Sequence, residues 1–471
     1  MGPVGLKLAR PPLSVRGREA DILAALCLTT AFLAALLIRL VRLQQGLILL
    51  DEFDPYFQYW MARRVVEEGW RGFADWFTWF KVYKFWFPHG RDVVHTAFPG
   101  LAFTGAFIYM LISSMGVKAS LMEVCSLLPP FMGALTVVAI YALGREVDGR
   151  AAGLYAAAFM AFISPSFYLS RTLLGFFDDE SVGILAMACA LAFYVRALKK
   201  DDNVADAALA GLFLGYMAAT WGAAAYVMNL MAVHAAVATL MDLLTGRYAR
   251  RLLYAYPTTM GVALLIASMV PKHGPRFMAS GLGFTILAAL AIVVIGEALS
   301  ALRPRQRSIA MVGAVAAVSV GVASLWALGL LTAPERYLSV LNPAIRSPLV
   351  SSVAEHQPVT WAYFISEYHL LLPLALAGLY FALRRHEGHD VLVALMALTT
   401  FYAASSMARL MALLAPVIAV LAGIGLHRAL SPVIEGLKAR EAPKRKARYA
   451  VGPHRAAAAL TLMVVAALIT G

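Results

Sequence analysis

Apolar runs of roughly 20 residues recur along almost the whole chain, and no other feature narrows its possible folds as much. An α-helix rises ~1.5 Å per residue, so ~20 apolar residues cross the ~30 Å hydrocarbon core of a bilayer. The chain is therefore expected to be an all-α polytopic membrane protein. Its 61% hydrophobic content agrees, since soluble domains sit near ~45–50% apolar. The net charge of +13 could signal nucleic acid, but with this composition it marks basic loops held against anionic lipid, and no nucleic-acid partner is expected. Cys27, Cys125 and Cys189 all fall inside apolar runs, which predicts buried packing rather than a disulfide or metal framework.

Lys/Arg-rich loops stay on the cytoplasmic side, and this fixes the path of the chain. Lys7, Arg10, Arg16 and Arg18 precede the first run at 21–41, an uncleaved helix with a cytoplasmic N-terminus. That run leads into a large first external loop over 45–97, rich in Trp, Phe and Tyr, which suits interfacial helices. Runs near 98–116, 121–143 and 151–168 follow. GREVDGR, between the last two, is charged and reads as cytoplasmic. If all three runs crossed, Asp178 would lie opposite Asp54. The 98–116 run opens on Pro99 and Gly100 after the aromatic belt, so we read it as non-spanning or re-entrant.

Spans at 182–198, 205–220, 222–243 and onward then alternate around GRYARR, RPRQR, RRHEGHD and the basic stretch 428–455. PKHGPR at 271–276 is the one basic loop on the wrong side. A fifth external loop, also large, covers 332–360, and a last run at 456–470 heads outward. The expectation is about 13 spans, in the cell membrane, with the polar islands on the external face. The compact basic loops point to a prokaryotic, archaeal source. No Walker-type sequence is present, so no coupling to ATP is expected.

The polar islands hold the chemistry. An ionisable group at a helix centre costs at least ~2.5–3.5 kcal/mol, so such groups near a bilayer are functional candidates. EFDPYF carries Asp54 before a proline, where Asp-Pro also suits a plain helix start; Glu52 is a nearby second carboxylate. FDDES carries Asp178 and Glu180. On an extended loop these point the same way and can share a hard cation such as Mg²⁺ or Mn²⁺; they equally suit a helix N-cap and first turn. Arg171, just upstream, is an interfacial anchor or a partner for these acids. SVAEHQP places Glu355 in the long polar loop, with His356 a lesser candidate beside His89, His95 and Trp221. Arg409, in MARLMALLAP, either snorkels or holds a phosphate oxygen.

Together these segments resemble the catalytic subunit of oligosaccharyltransferase, the enzyme of asparagine-linked glycosylation. EFDPYF, KFWFPHGR, FPG, SRTLLGFFDDES, TWGAAAYVMN, SVAEHQP and ARLMALLAP stand in that family's order between Asp51 and Pro416. The resemblance implies a GT-C-type glycosyltransferase core of 13 spans. Asp54, Asp178 and Glu180 would be its metal-binding acids. Glu355 would join the metal site and contact the acceptor amide, so that Asp54 and Glu355 are the catalytic pair. Arg409 would bind the lipid-linked phosphate, and Arg171 would support an acid. Implied partners are a dolichyl- or other polyprenyl-linked oligosaccharide and a polypeptide bearing Asn-X-Ser/Thr. The family's C-terminal domain reads that sequon with a Trp-Trp-Asp-Tyr-Gly motif. No Trp-Trp pair occurs here, so residues 1–471 are expected to be the transmembrane catalytic domain without it. Another polyprenyl-phosphate glycosyltransferase would share the first-loop acid but lack SVAEHQP. A transporter would bury its acids mid-span, and a non-catalytic membrane scaffold is the third alternative.

Overall fold

The computed structural model describes residues 13–46, 48–163, 165–246, 250–274, 277–278, 280–331, 335–385 and 388–441. The main helices are α1 Leu13–Arg39, α2 Phe53–Glu67, α3 Gly100–Ser114, α4 Leu121–Ala161, α5 Asp179–Ala197, α6 Val204–Thr220 and α7 Ala224–Thr245. They continue as α8 Arg251–Ser268, α9 Gly281–Ser300, α10 Pro304–Ala327, α11 Trp361–Tyr368, α12 Leu371–Arg385, α13 Gly388–Ser406 and α14 Met411–Glu441. Among the described residues, β-bridge pairing is confined to Val82 and Arg91.

Among the described residues, seven helices are long and apolar enough to cross a membrane, or eight if α11 and α12 form one broken span. Part of the difference from the expected 13 is local, and α6, at 17 residues, falls just short of a spanning length. The expected run at 456–470 lies outside the described residues. α4 counts once but is a hairpin: Asp148 and Gly149 (φ 89°) break it, and Gly144 and Gly153 let its two arms touch. The expected straight span at 361–383 is instead α11 and α12 bent by 93°, with His369 at φ 40° between them. Cys27 is exposed on α1 rather than buried.

Charge separates the two ends of the bundle. At one end Asp148, its side chain fully buried, receives Arg428 Nε at 3.0 Å and His427 Nδ1 at 2.9 Å, and pairs with Arg385. Arg150 pairs with Asp21 of α1, and Lys199 with Glu146 at 2.8 Å. These are the charged turns that the chain path above places together. At the other end lie the C-terminal end of α1, the 170–178 segment, Trp221, and Glu355.

α3 stays at this second end. Gly100 touches Ala219 and Thr220, Gly105 touches Phe177 and Cys125, and Phe103 and Phe107 pack on Phe73 and Trp70 of the first loop. Its 15 residues span only ~22 Å. The first loop has its own core, in which Met61, Val65, Trp76, Trp79, Val93, Leu101 and Phe177 are buried together. Phe80, Trp86 and Phe87 remain exposed as the expected aromatic belt.

Removing one member of a buried ion pair strands the others, at ~3–5 kcal/mol. Asp148→Asn should therefore lower the thermal unfolding midpoint in detergent by several degrees. Arg428 is partly exposed, so the low end, about 3 kcal/mol, is expected; an unchanged midpoint would contradict the network.

Candidate active site

The C-terminal end of α1 braces the segment that presents the acids. Arg39 is fully buried; its Nε donates to Thr172 Oγ1 at 2.9 Å. The Leu174 N–H donates to the Arg39 carbonyl, and the Asp51 N–H to the Gly175 carbonyl, both at 3.0 Å. Gly175 has φ +89°, and a Cβ there would collide with the Leu49 carbonyl, so the approach requires glycine. Phe177 anchors the segment in the loop core, and Asp178 follows it.

Asp178 is the N-cap of α5, accepting the Asp179 N–H at 2.8 Å. Asp178 and Glu180 thus do not alternate on an extended loop, because Glu180 already lies in the first helical turn. The capping reading and the functional one hold together: carboxylates suit a helix N-terminus, and both side chains still face arginines. Asp54 lies in the first turn of α2 with Pro55 behind it. One turn on, Gln58 Nε2 donates to Asp179 Oδ1 at 2.9 Å, which sets α2 against the start of α5. Burial, followed by the charges of Glu180 and Asp179 with Asp54 adding, holds the Asp178 carboxyl well above the usual carboxylate range.

Glu355 closes the site from the long loop. It accepts from Arg171 Nη2 at 2.7 Å and from Arg409 Nη1 at 2.8 Å. Arg409 Nη2 reaches Glu180 at 3.2 Å, and Arg171 Nη1 lies 3.6 Å from Asp178. Four of the expected residues, Asp178, Glu180, Arg171 and Arg409, are so joined to Glu355 in one ion-pair cluster, with Asp54 close enough to act on Asp178 electrostatically. Exposure runs from 3% at Glu180 to 30% at Arg409, so solvent screens these pairs less than surface pairs.

Glu180 Oε2 is buried with no hydrogen-bond partner among the described residues. The donors are all hard oxygens, which fits a hard divalent cation. Among the described residues, however, no three Asp, Glu, His or Cys side chains converge closely enough to hold a metal ion; arginines link the acids instead.

The lesser candidates stand apart. His356 is buried, its Nδ1 3.0 Å from the Val350 carbonyl. Trp221 packs on Gly183, and His89 is exposed in the turn after Trp86. Other residues gain roles that no motif announced. Arg346 ties the long loop to α13, donating to the His356 carbonyl at 2.7 Å and to Ser406 Oγ at 3.0 Å. Lys272, from the loop that breaks the positive-inside pattern, lies 3.6 Å from the Phe98 ring centre and acts electrostatically on Asp179. That violation was the available signal for it; Gln58 and Arg346 carried none.

The fold and site define a polytopic helical membrane protein with a partly buried cluster of acids and arginines at one end. The profile of the family described as "Oligosaccharyl transferase STT3, N-terminal" matches residues 22–422, and the chain belongs to this family. It is 30% identical over 440 residues to the dolichyl-diphosphooligosaccharide–protein glycosyltransferase subunit STT3 of Dictyostelium discoideum, covering 91% of this chain and 60% of that protein. It is 32% identical over 444 residues to the STT3A subunit of Oryza sativa subsp. japonica, covering 90% and 54%. The chain thus spans 54–60% of the length of these relatives. Its fold is similar to that of the archaeal oligosaccharyltransferase AglB from Archaeoglobus fulgidus, solved with an inhibitory peptide and a dolichol-phosphate. The TM-score is 0.74 at 18% identity, over 96% of this chain and 55% of that one. A structure of the Archaeoglobus fulgidus oligosaccharyltransferase with Zn and sulfate gives 0.67 at 17% identity, over 94% and 52%.

Hydrogen bonds from a charged group contribute ~1.5–3 kcal/mol each, so Arg346→Ala should loosen the Glu355 loop. Hydrogen exchange of amides 353–357 is expected to rise at least ~10-fold, the equivalent of ~1.4 kcal/mol. Unchanged protection would rule out Arg346 as the tie.

Proposed function

We propose that the chain is the membrane-embedded catalytic part of an oligosaccharyltransferase. It moves an oligosaccharide from a dolichyl or related polyprenyl mono- or pyrophosphate to the side-chain nitrogen of Asn in Asn-X-Ser/Thr. The observation that carries this is the joining of Glu355 to Arg171 and Arg409 beside Asp178 and Glu180. Family membership supports it, as do the names of the relatives. Peptide and dolichol-phosphate in the AglB structure agree with such a pair of substrates.

A carboxamide nitrogen is a poor nucleophile because its lone pair is delocalised; the corresponding peptide barrier is ~18–20 kcal/mol. In our reading Asp54 and Glu355 accept hydrogen bonds from the asparagine NH₂ and turn it out of conjugation. The nitrogen attacks the anomeric carbon, the carbon–oxygen bond to phosphate breaks, and the phosphate leaves with the electron pair. The amide proton passes to a carboxylate, which in our reading is Asp54. Arg409 stabilises charge developing on the departing phosphate, and Arg171 holds Glu355 in position until the acceptor enters. Once Glu355 leaves Arg171 and Arg409, which separate it from the other acids here, Asp54, Asp178, Glu180 and Glu355 would hold a hard divalent cation, Mg²⁺ or Mn²⁺, with Glu180 Oε2 among its donors. Bound there, the ion would offset repulsion among the acids and polarise the phosphate. The lipid carrier would reach the site laterally from the bilayer, at its external face.

In the full-length protein, supplied with lipid-linked oligosaccharide and an Asn-X-Thr peptide, Asp54→Ala and Glu355→Gln should each cut glycopeptide formation by ~10²–10⁴-fold, the usual worth of a positioned acid–base group. Near-normal turnover in either variant would sink the assignment. Chelation with EDTA should abolish transfer and added Mn²⁺ restore it; transfer indifferent to EDTA would remove the metal from the proposal.

A further inference from the structure

A cavity of about 920 Å³ lies between Lys199, Asp242, Arg251 and His389 at the end away from the acids. A smaller pocket of about 460 Å³ lies beside Asp54, and its volume is in the ~300–1,000 Å³ range of small-molecule sites. Its wall is aromatic and fixed. Phe57, Trp60 and Phe85 pack together, with Phe85 edge-on to Phe57 at 5.0 Å and to Trp60 at 4.9 Å. Such a wall suits a pyranose ring, whose weakly positive C–H face meets the negative face of an aromatic ring.

Its charge is the less expected feature. Arg63, Lys84 and Arg91 also line it, against a single acid, Asp54. Arg63 is matched by Glu67 at 2.7 Å. Arg91 has no carboxylate at ion-pair distance among the described residues. Its Nε donates to Thr96 Oγ1 at 3.1 Å, and its guanidinium lies 4.0 Å from the Phe57 ring centre. Lys84 likewise has no acidic partner among the described residues. A half-buried guanidinium held against an aromatic wall can take a carboxylate by paired hydrogen bonds. Asp54 acts on Arg91 electrostatically, but one acid cannot balance both Arg91 and Lys84, and a neutral sugar would leave that excess positive charge unmatched.

We infer that this pocket binds an anionic saccharide, a sugar carrying a carboxylate of the hexuronate type, within the lipid-linked donor. The inference rests on the proposed function for the identity of the donor but not for the chemistry of the pocket. Trp60 provides the platform, and Lys84 and Arg91, the latter held over Phe57, select for the acid group. The phosphate of the carrier falls to Arg409, which does not line this pocket.

The first arm of the test is binding, by isothermal titration of the protein in nanodiscs with trigalacturonic acid, with the neutral trisaccharide galactotriose, and with inorganic pyrophosphate. Trigalacturonate should bind at least ~10-fold tighter than galactotriose, a ~1.4 kcal/mol preference. Lys84→Gln, on an exposed side chain that leaves the melting temperature unchanged, should remove most of that preference, as should Arg91→Gln. Equal binding of the two sugars, no binding of either, or a preference that survives both substitutions overturns the inference. So does pyrophosphate binding that these substitutions weaken while trigalacturonate binding is unaffected. The second arm is transfer by the full-length protein from a uronate-bearing and a neutral lipid-linked donor. Equal transfer overturns the inference and leaves the proposed function intact. Absence of transfer from both donors, with trigalacturonate binding retained, overturns the proposed function and leaves the pocket standing.

Discussion

The carboxylate of Glu355 is held by two guanidiniums, Arg171 at 2.7 Å and Arg409 at 2.8 Å, and the rest of the site depends on this clamp. The three residues come from the long loop, from the segment before α5 and from the turn before α14. Each arginine also reaches an acid at the start of α5. The clamp therefore fixes the loop, the 170–178 segment and α14 relative to one another. Without it, Glu355 would sit on a stretch of chain with little apolar surface to hold it in place. Arg346 secures the same loop from behind through backbone carbonyls.

The clamp works because the bundle keeps its charges at two ends. Ionised groups are costly within the hydrocarbon layer, and the apolar helices leave them only the turns. One end collects arginines around Asp148. The other collects acids, with just enough arginine to hold them. Burial makes the acids costly to leave bare: a carboxylate as enclosed as Asp178, with like charges beside it, favours its protonated form unless cations approach. The arginines satisfy that need in part, and the partnerless oxygen of Glu180 marks what they leave over.

Much of this was legible in the sequence because apolar run length, basic loops and acidic islands are separate signals that agree. Asp54, Asp178, Glu180 and Glu355 could be singled out because a carboxylate is conspicuous among apolar residues. The placement of α3 beside the first loop followed from its Pro-Gly start and from parity. What could not be read was pairing. Arg171 reads as an anchor or a partner for the acids and Arg409 as a snorkelling or phosphate-holding group, and nothing in their neighbours shows that both meet Glu355. Gln58 is an unremarkable amide until α2 turns it toward Asp179. The break between α11 and α12 lies inside a stretch whose length suits a single span, while the bend is a backbone event at one residue, His369. Lys272 was visible only as a misplaced charge, and its position near Asp179 gives that charge a reason.

The account stands on one arrangement of side chains, so a cryo-electron microscopy map of the protein in nanodiscs, at side-chain resolution and without added metal, tests it most directly. It predicts continuous density from Glu355 to both Arg171 and Arg409, with Asp178 and Glu180 on the far side of the guanidiniums. A map in which the 332–360 loop is ordered but holds Glu355 away from both arginines would contradict it.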